Sequence, residues 1–162
     1  MKRTSLHRKT PLTSRVRPIT TPRRVLRADC VSRAINPSTG RVVSVLGAKK
    51  LAWTAFAAFI RKRDPSCITC GKKTTEAGHF RHTTDKANKQ LGGNLIWYNE
   101  KNVHGQCSVC NQHHSGRLDV YAHQLEEKYG YGILRELQLL YMTPKKWTIS
   151  ELLDVAKKYR EL

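Results

Sequence analysis

Two Cys-x-x-Cys pairs, Cys67/Cys70 and Cys107/Cys110, constrain this chain more than anything else in it. Each pair puts two thiolates within reach of one ion, and two pairs complete a tetrahedral zinc site with no open position. The start of the chain shows no apolar leader, and no run approaches the roughly 20 apolar residues of a membrane-spanning helix. Cysteines spaced this way, outside a secretory context, read as metal ligands before disulfides. A closed four-sulfur site is structural. Chemistry must then fall to the histidines and asparagines between and just after the cysteines. Only 39% of the 162 residues are hydrophobic, so a metal staple suits the modest core. Cys30 stands apart from the pairs and is expected to be an inert, partly buried thiol.

Charge indicates the partner. Thirty Lys+Arg against 12 Asp+Glu give a formal +18, and a chain so basic repels itself unless it meets a polyanion. DNA is expected, with no membrane partner, although ribosomal, capsid and histone-like proteins share this balance. The excess is densest at 1–27, where Lys2, Arg3, Arg8, Lys9, Arg15, Arg17, Arg23 and Arg24 alternate with prolines and no acid appears. Prolines oppose helix and the few apolar residues cannot form a core. The expectation is a disordered basic arm that lies along phosphates. A solubilising tail is the plainer alternative.

Residues 28–47 read as a linker with a turn at Asn36-Pro37-Ser38-Thr39-Gly40 and a short strand over 41–46. A helix follows over 48–63, with Leu51, Ala52, Ala55, Phe56, Phe59 and Ile60 on one stripe, stopped by Pro65. Segments 76–82 and 94–98 have the length of a hairpin, separated by a polar loop at 85–90 and the Gly92-Gly93 break. A short helix is expected from Cys110 to Gly116. Helices follow over 118–129, with Val120, Leu125 and Tyr129 inward, over 131–141, and over 149–160 behind a Thr148/Glu151 capping box. The divisions are thus 1–27, 28–47, a zinc-bound core at 48–116 and a helical region at 117–162.

A zinc ribbon separates its cysteine pairs by about 15–20 residues; here the second pair comes much later, so the ion holds the ends of an inserted hairpin. That hairpin carries His79, and the helix after it carries Asn111 and His113. A histidine strand followed by a polar helix resembles the ββα-metal motif of His-Asn-His (HNH) nucleases, with His79 first, Asn102 in the middle and Asn111/His113 last. Closer still is the NinG/Rap family of phage recombination endonucleases. The resemblance lies in Ala58-Phe59-Ile60-Arg61-Lys62-Arg63-Asp64, Cys67-Ile68-Thr69-Cys70-Gly71, Ala77-Gly78-His79-Phe80-Arg81, Asn99 to Cys107, and Cys110-Asn111-Gln112-His113-His114-Ser115-Gly116.

The resemblance implies an α+β fold, a small zinc-stapled ββα-metal core with flanking helices. It also implies a structure-selective endonuclease that nicks Holliday junctions and D-loops in the cytoplasm of a phage-infected host. His79 would be the general base, since an imidazole titrates near neutrality. Arg81 would clamp a phosphate oxygen, and Asn102 belongs to the motif as a catalytic or loop-bracing residue. Asn111 would bind a catalytic Mg²⁺ or Mn²⁺, unless it merely caps a helix. His113 joins it by family position, or His114 by lying three residues along the same helix face. Relatives carry a metal-binding Asp or His just before the base. Here that position is Gly78, for which His82, Asp85 or His104 must substitute. His114 stands where lysine is usual, and the loop from His82 to Tyr98 is elaborated. Two nicks across a symmetric junction favour a homodimer. The alternatives are a non-catalytic zinc-knuckle DNA-binding protein and a sequence-specific HNH endonuclease.

Overall fold

The computed structural model describes residue 40 and residues 42–82 and 95–162. The arm at 1–27, Cys30, Asp85, the loop at 85–90 and the Gly92-Gly93 break lie outside the described residues. Helix α1 spans Val45–Arg63. It therefore absorbs Val45 and Leu46 from the expected strand. Ser44 causes the early start: its hydroxyl accepts the Gly47 N–H at 3.1 Å, satisfying one of the donors that open a helix. The buried stripe is Ala48, Ala52, Ala55, Phe56, Ala57 and Ile60. Arg61, Lys62 and Arg63 occupy the last turn, where cations complement the helix dipole.

The short antiparallel sheet pairs β1, Glu76–His79, with β2, Val103–Gln106, in the register Glu76↔Gln106, Ala77↔Gly105, Gly78↔His104 and His79↔Val103. This corrects two expectations. The first strand ends at His79, not 82, and the second is not 94–98. Leu95–Tyr98 is a turn, because its carbonyls are taken by side chains: Asn102 Nδ2 reaches Ile96 O at 3.4 Å and His79 Nε2 reaches Trp97 O at 3.1 Å. The true second strand, Val-His-Gly-Gln, has no apolar alternation, yet all four residues are buried.

After β2, Val109–His113 form a π-helical turn rather than an α-helix. Helices α2 (Leu118–Tyr129), α3 (Ile133–Met142) and α4 (Ile149–Lys158) follow. The α4 capping box forms as expected, with Glu151 N–H on Thr148 Oγ1 at 3.2 Å and Thr148 N–H on Glu151 Oε2 at 2.8 Å. One core joins α1 to α4 through Ala52, Phe56, Ile60, Leu152, Ala156 and Tyr159, with the Phe56 and Tyr159 rings 4.8 Å apart. A second gathers Phe80, Ile96, Tyr121, Leu125, Ile133 and Leu137. Leu125 faces inward as expected, but Tyr121 replaces Tyr129, which is exposed. Tyr121 tolerates full burial because its hydroxyl donates to Gly78 O at 3.0 Å. Among the described residues no helix is long and apolar enough to cross a membrane.

Candidate functional site

The sulfurs of Cys67, Cys70, Cys107 and Cys110 all lie within 4.8 Å of one another. A zinc ion about 2.3 Å from each sulfur requires edges of roughly 3.8 Å; Cys70 and Cys107 are 3.6 Å apart. Local backbone builds each half. Gly71 adopts φ 71°, a left-handed turn that suits glycine, and its N–H returns to Cys67 O at 2.8 Å. Ile68 N–H donates to Gly105 O at 2.9 Å, tying this knuckle to β2. Burial raises the Cys67 thiol, but hydrogen bonds from Thr69 and from the backbone of Cys107, Thr69 and Cys70 outweigh it and bring it to about 6. For Cys70 a backbone bond at Lys72 favours the thiolate, yet burial and the crowding sulfurs push the thiol up to about 12. Four thiols this close cannot all ionise alone. A divalent cation removes that conflict, and these donors fit zinc.

Beside the cysteines lies a cleft of about 670 Å³ lined by His79, Arg81, His82 and Asn111 together with Trp53, Trp97 and Tyr141. His79 is held on both faces. Trp53 stacks on it at 4.8 Å and 16°, and Trp97 lies 4.5 Å away on a tilt. Its Nε2 must carry the proton, since it bonds the Trp97 carbonyl, which leaves the Nδ1 lone pair unused by that bond. Burial and the neighbouring His82 push the imidazole down to about 4, against the pull of that carbonyl. His79 is therefore neutral at physiological pH. The His82 ring stands edge-on 5.3 Å away, and burial lowers it too.

Asn111 is not a helix cap; it lies inside the π turn, after the Ser108 cap position. Its Nδ2 donates to Glu76 Oε2 at 2.6 Å, and Gln112 Nε2 makes a short contact to Glu76 Oε1. With its amide nitrogen spent on Glu76, Asn111 turns Oδ1 away from the carboxylate. His113 and His114 are exposed and do not line the cleft. Asn102 is fully buried behind it. Its Oδ1 accepts Arg81 N–H at 2.8 Å and its Nδ2 donates to Arg81 O at 3.1 Å. It braces the turn that carries Arg81 and has no surface for a ligand.

His104 faces elsewhere. Its Nδ1 meets Asp64 Oδ2 at 2.8 Å and its Nε2 meets the Tyr129 hydroxyl at 3.3 Å. Burial works against ionisation of Asp64, but His104, Arg63 and the Gly105 N–H outweigh it and hold the carboxyl well below its usual range. Arg63 also reaches Glu100 O and Val103 O, at 3.1 and 2.9 Å. The cluster locks the end of α1 to β2, and His104 is used up there. Sequence reasoning missed Trp53, Trp97, Glu76 and Gln106. Trp53 and Trp97 could have been flagged as large aromatics off the main apolar stripes, and Gln106 as the residue directly preceding a zinc cysteine. Nothing in the sequence singled out Glu76.

The family model described as Bacteriophage Lambda NinG protein matches residues 44–162. The protein ninG of Escherichia phage lambda is 38% identical over 117 residues, covering 69% of this chain and 53% of that protein. The ninG protein of Salmonella phage P22 is 38% identical over 117 residues, covering 69% and 54%. The chain thus spans about half the length of the curated relatives it matches. No solved structure matches it. With the match running from the cap of α1 through the cysteines and the cleft to Leu162, this chain belongs to the bacteriophage NinG family.

Proposed function

We propose that the chain is a metal-dependent DNA endonuclease of the HNH kind, selective for branched DNA such as Holliday junctions and D-loops. The observation that carries this reading is His79: a neutral imidazole clamped between Trp53 and Trp97, its proton fixed on Nε2, in one cleft with Asn111. Such a ring can take a proton from water through Nδ1. The resulting hydroxide attacks phosphorus in line, and the products are a 5′-phosphate and a 3′-hydroxyl. Arg81, exposed where it lines the cleft, would hold a non-bridging phosphate oxygen. Asn111, with His82 beside the base, would hold a Mg²⁺ or Mn²⁺ ion. When bound, that ion supplies charge to the phosphate and the leaving 3′ oxygen. The closed cysteine site leaves zinc no vacancy for substrate, so its role is structural.

The basic arm at 1–27, with Lys2, Arg3, Arg8, Lys9, Arg15, Arg17, Arg23 and Arg24, would add phosphate contacts of no sequence preference. Paired nicks on a junction suit a homodimer, acting in the cytoplasm of the infected host. Gly78 favours a second reading, a zinc-stapled DNA-binding protein without chemistry, because glycine supplies no ligand beside the base. Nicking of supercoiled plasmid in Mg²⁺, beside His79→Ala, decides between them. Cleavage by the wild type with loss in His79→Ala supports the nuclease. Binding without nicking by either overturns it. A panel of linear, flap, D-loop and four-way DNA then tests the branched preference.

A further inference from the structure

Gln106 ends β2, directly before Cys107, and is fully buried. Its Nε2 donates to Gly116 O at 2.9 Å, which fixes the amide so that Oε1 points the other way. That Oε1 is enclosed and, among the described residues, receives no hydrogen bond. Buried amide oxygens are rarely left so, and such an orphan asks for an explanation. Its surroundings supply one. A Cβ on Gly78 would overlap Gln106 Oε1, and it would lie 2.8 Å from Gln106 Cδ and 3.0 Å from Asn111 Oδ1. Gly78 is thus free of a side chain where two amide oxygens converge.

Both amides are locked by their nitrogen ends, Gln106 on Gly116 O and Asn111 on the Glu76 carboxylate. Neither can flip to offer N–H to the other without abandoning its partner. Two amide oxygens that both lie within 3.0 Å of the place a Gly78 Cβ would take repel each other unless something positive lies between them. Hard divalent cations take oxygen ligands of this type, amide carbonyls included, and keep several waters. Asn111 also lines the cleft that holds His79, so a cation held there would sit beside that cleft.

We infer that Gln106 Oε1 and Asn111 Oδ1 together seat a hard divalent cation, Mg²⁺ or Mn²⁺, with Gly78 kept bare so that the Gln106 amide reaches the place a side chain at 78 would fill. This rests on the endonuclease reading for its purpose, but the seat itself is a statement about cation binding. Gln106 on β2 is the diagonal neighbour of Gly78 on β1, a distance side chains span in antiparallel pairs.

The test is a Mn²⁺ titration of the full zinc-loaded chain, without DNA, read by the electron paramagnetic resonance signal of free Mn²⁺, with zinc content as the check on folding. Wild type should bind one Mn²⁺. Gln106→Met, of similar length but lacking the oxygen, should weaken binding by at least about tenfold. Gly78→Asp/Gln106→Ala should restore it, because the carboxylate enters the vacated space, whereas Gly78→Ala/Gln106→Ala should not. The inference is overturned if wild type binds no Mn²⁺, or if Gln106→Met retains zinc and binds Mn²⁺ like wild type. Should Gln106→Met lose its zinc, equal Mn²⁺ affinity in the two double variants overturns it instead. A wild type that binds Mn²⁺ through Gln106 yet nicks no DNA supports the seat and refutes the nuclease. A Gln106→Met chain that nicks and binds Mn²⁺ as wild type does the reverse.

Discussion

Clamping His79 between two indoles has a thermodynamic signature that needs no DNA. The folded imidazole titrates near 4, through burial and the His82 charge, whereas an unfolded histidine titrates near 6.5. A depressed histidine contributes stability that is full above the unfolded value and is lost as pH falls toward the folded one, since only the unfolded chain binds the proton in that window. From 6.5 down to pH 5 is about 1.5 pH units at 1.36 kcal/mol each, so about 2 kcal/mol should vanish between pH 7 and pH 5. The figure hardly depends on the folded value so long as it stays below 5. The assay is urea unfolding of wild type and His79→Gln at both pH values. Glutamine can still donate to the Trp97 carbonyl but does not titrate, and acid effects on the cysteines and other histidines cancel in the difference. Wild type should lose about 2 kcal/mol more than the variant. Equal losses in the two proteins would mean that His79 protonates freely when folded and is no desolvated neutral base.

Chelating zinc, or changing Cys107→Ser, should unfold the central module, seen as loss of the Trp53 and Trp97 fluorescence signature; retention of the native spectrum in zinc-free protein would refute the staple. Asn102→Ala removes the partner of the Arg81 backbone in a fully buried site. It should lower unfolding free energy by about 2–4 kcal/mol, a few hydrogen bonds' worth, where a purely catalytic role predicts no change. Deleting residues 1–27 should weaken binding to linear and four-way DNA alike and flatten the salt dependence by about 0.9 in log–log slope for each phosphate the arm neutralises. Loss of junction preference with an unchanged slope would make the arm a shape reader instead.

Features set by short-range chemistry were legible in the sequence. The stripe on α1 and the Thr148/Glu151 capping box are local, and the structure shows both. The four cysteines gather as their spacing suggested. The second strand was not legible, because Val103–Gln106 is buried by polar means that no hydropathy pattern records. His104 is satisfied by Asp64 and Tyr129, Asn102 by Arg81 and Ile96, and the turn at 95–98 is apolar because Ile96 enters the second core and Trp97 and Tyr98 the first. The aromatic clamp was illegible for a related reason. Trp53 on α1 and Trp97 in the 95–98 turn come from segments far apart in sequence and meet only in the folded chain. His114 looked useful on an α-helical wheel and His113 by family position; the π turn, one residue wider per hydrogen bond, leaves both at the surface while Asn111 stays in the cleft.

That π turn also explains why the cysteine cluster is joined so closely to the cleft. Gln106 immediately precedes Cys107 and Asn111 immediately follows Cys110, so each residue is one peptide bond removed from a cysteine of the cluster. Asn111 N–H returns to Cys107 O at 3.0 Å, His114 N–H to Val109 O at 3.1 Å and Gly116 N–H to Cys110 O at 2.9 Å. The last of these brings Gly116 back so that its own carbonyl can take Gln106 Nε2. The links up to Gly116 are backbone hydrogen bonds, and the Gln106 side chain is then pinned at its amide end. A shift in the Cys107–Cys110 pair therefore passes directly to Gln106 and Asn111, whereas His79, opposite Val103 at the far end of the ladder, is also held by Trp53 of α1 and by the Trp97 carbonyl. Partial zinc loss should consequently impair divalent-cation binding before it disturbs the His79 clamp. Stepwise chelation, followed by Mn²⁺ affinity and by the indole fluorescence of Trp53 and Trp97, separates the two: affinity should fall first, and simultaneous loss would show that the cysteines hold the whole module as one unit.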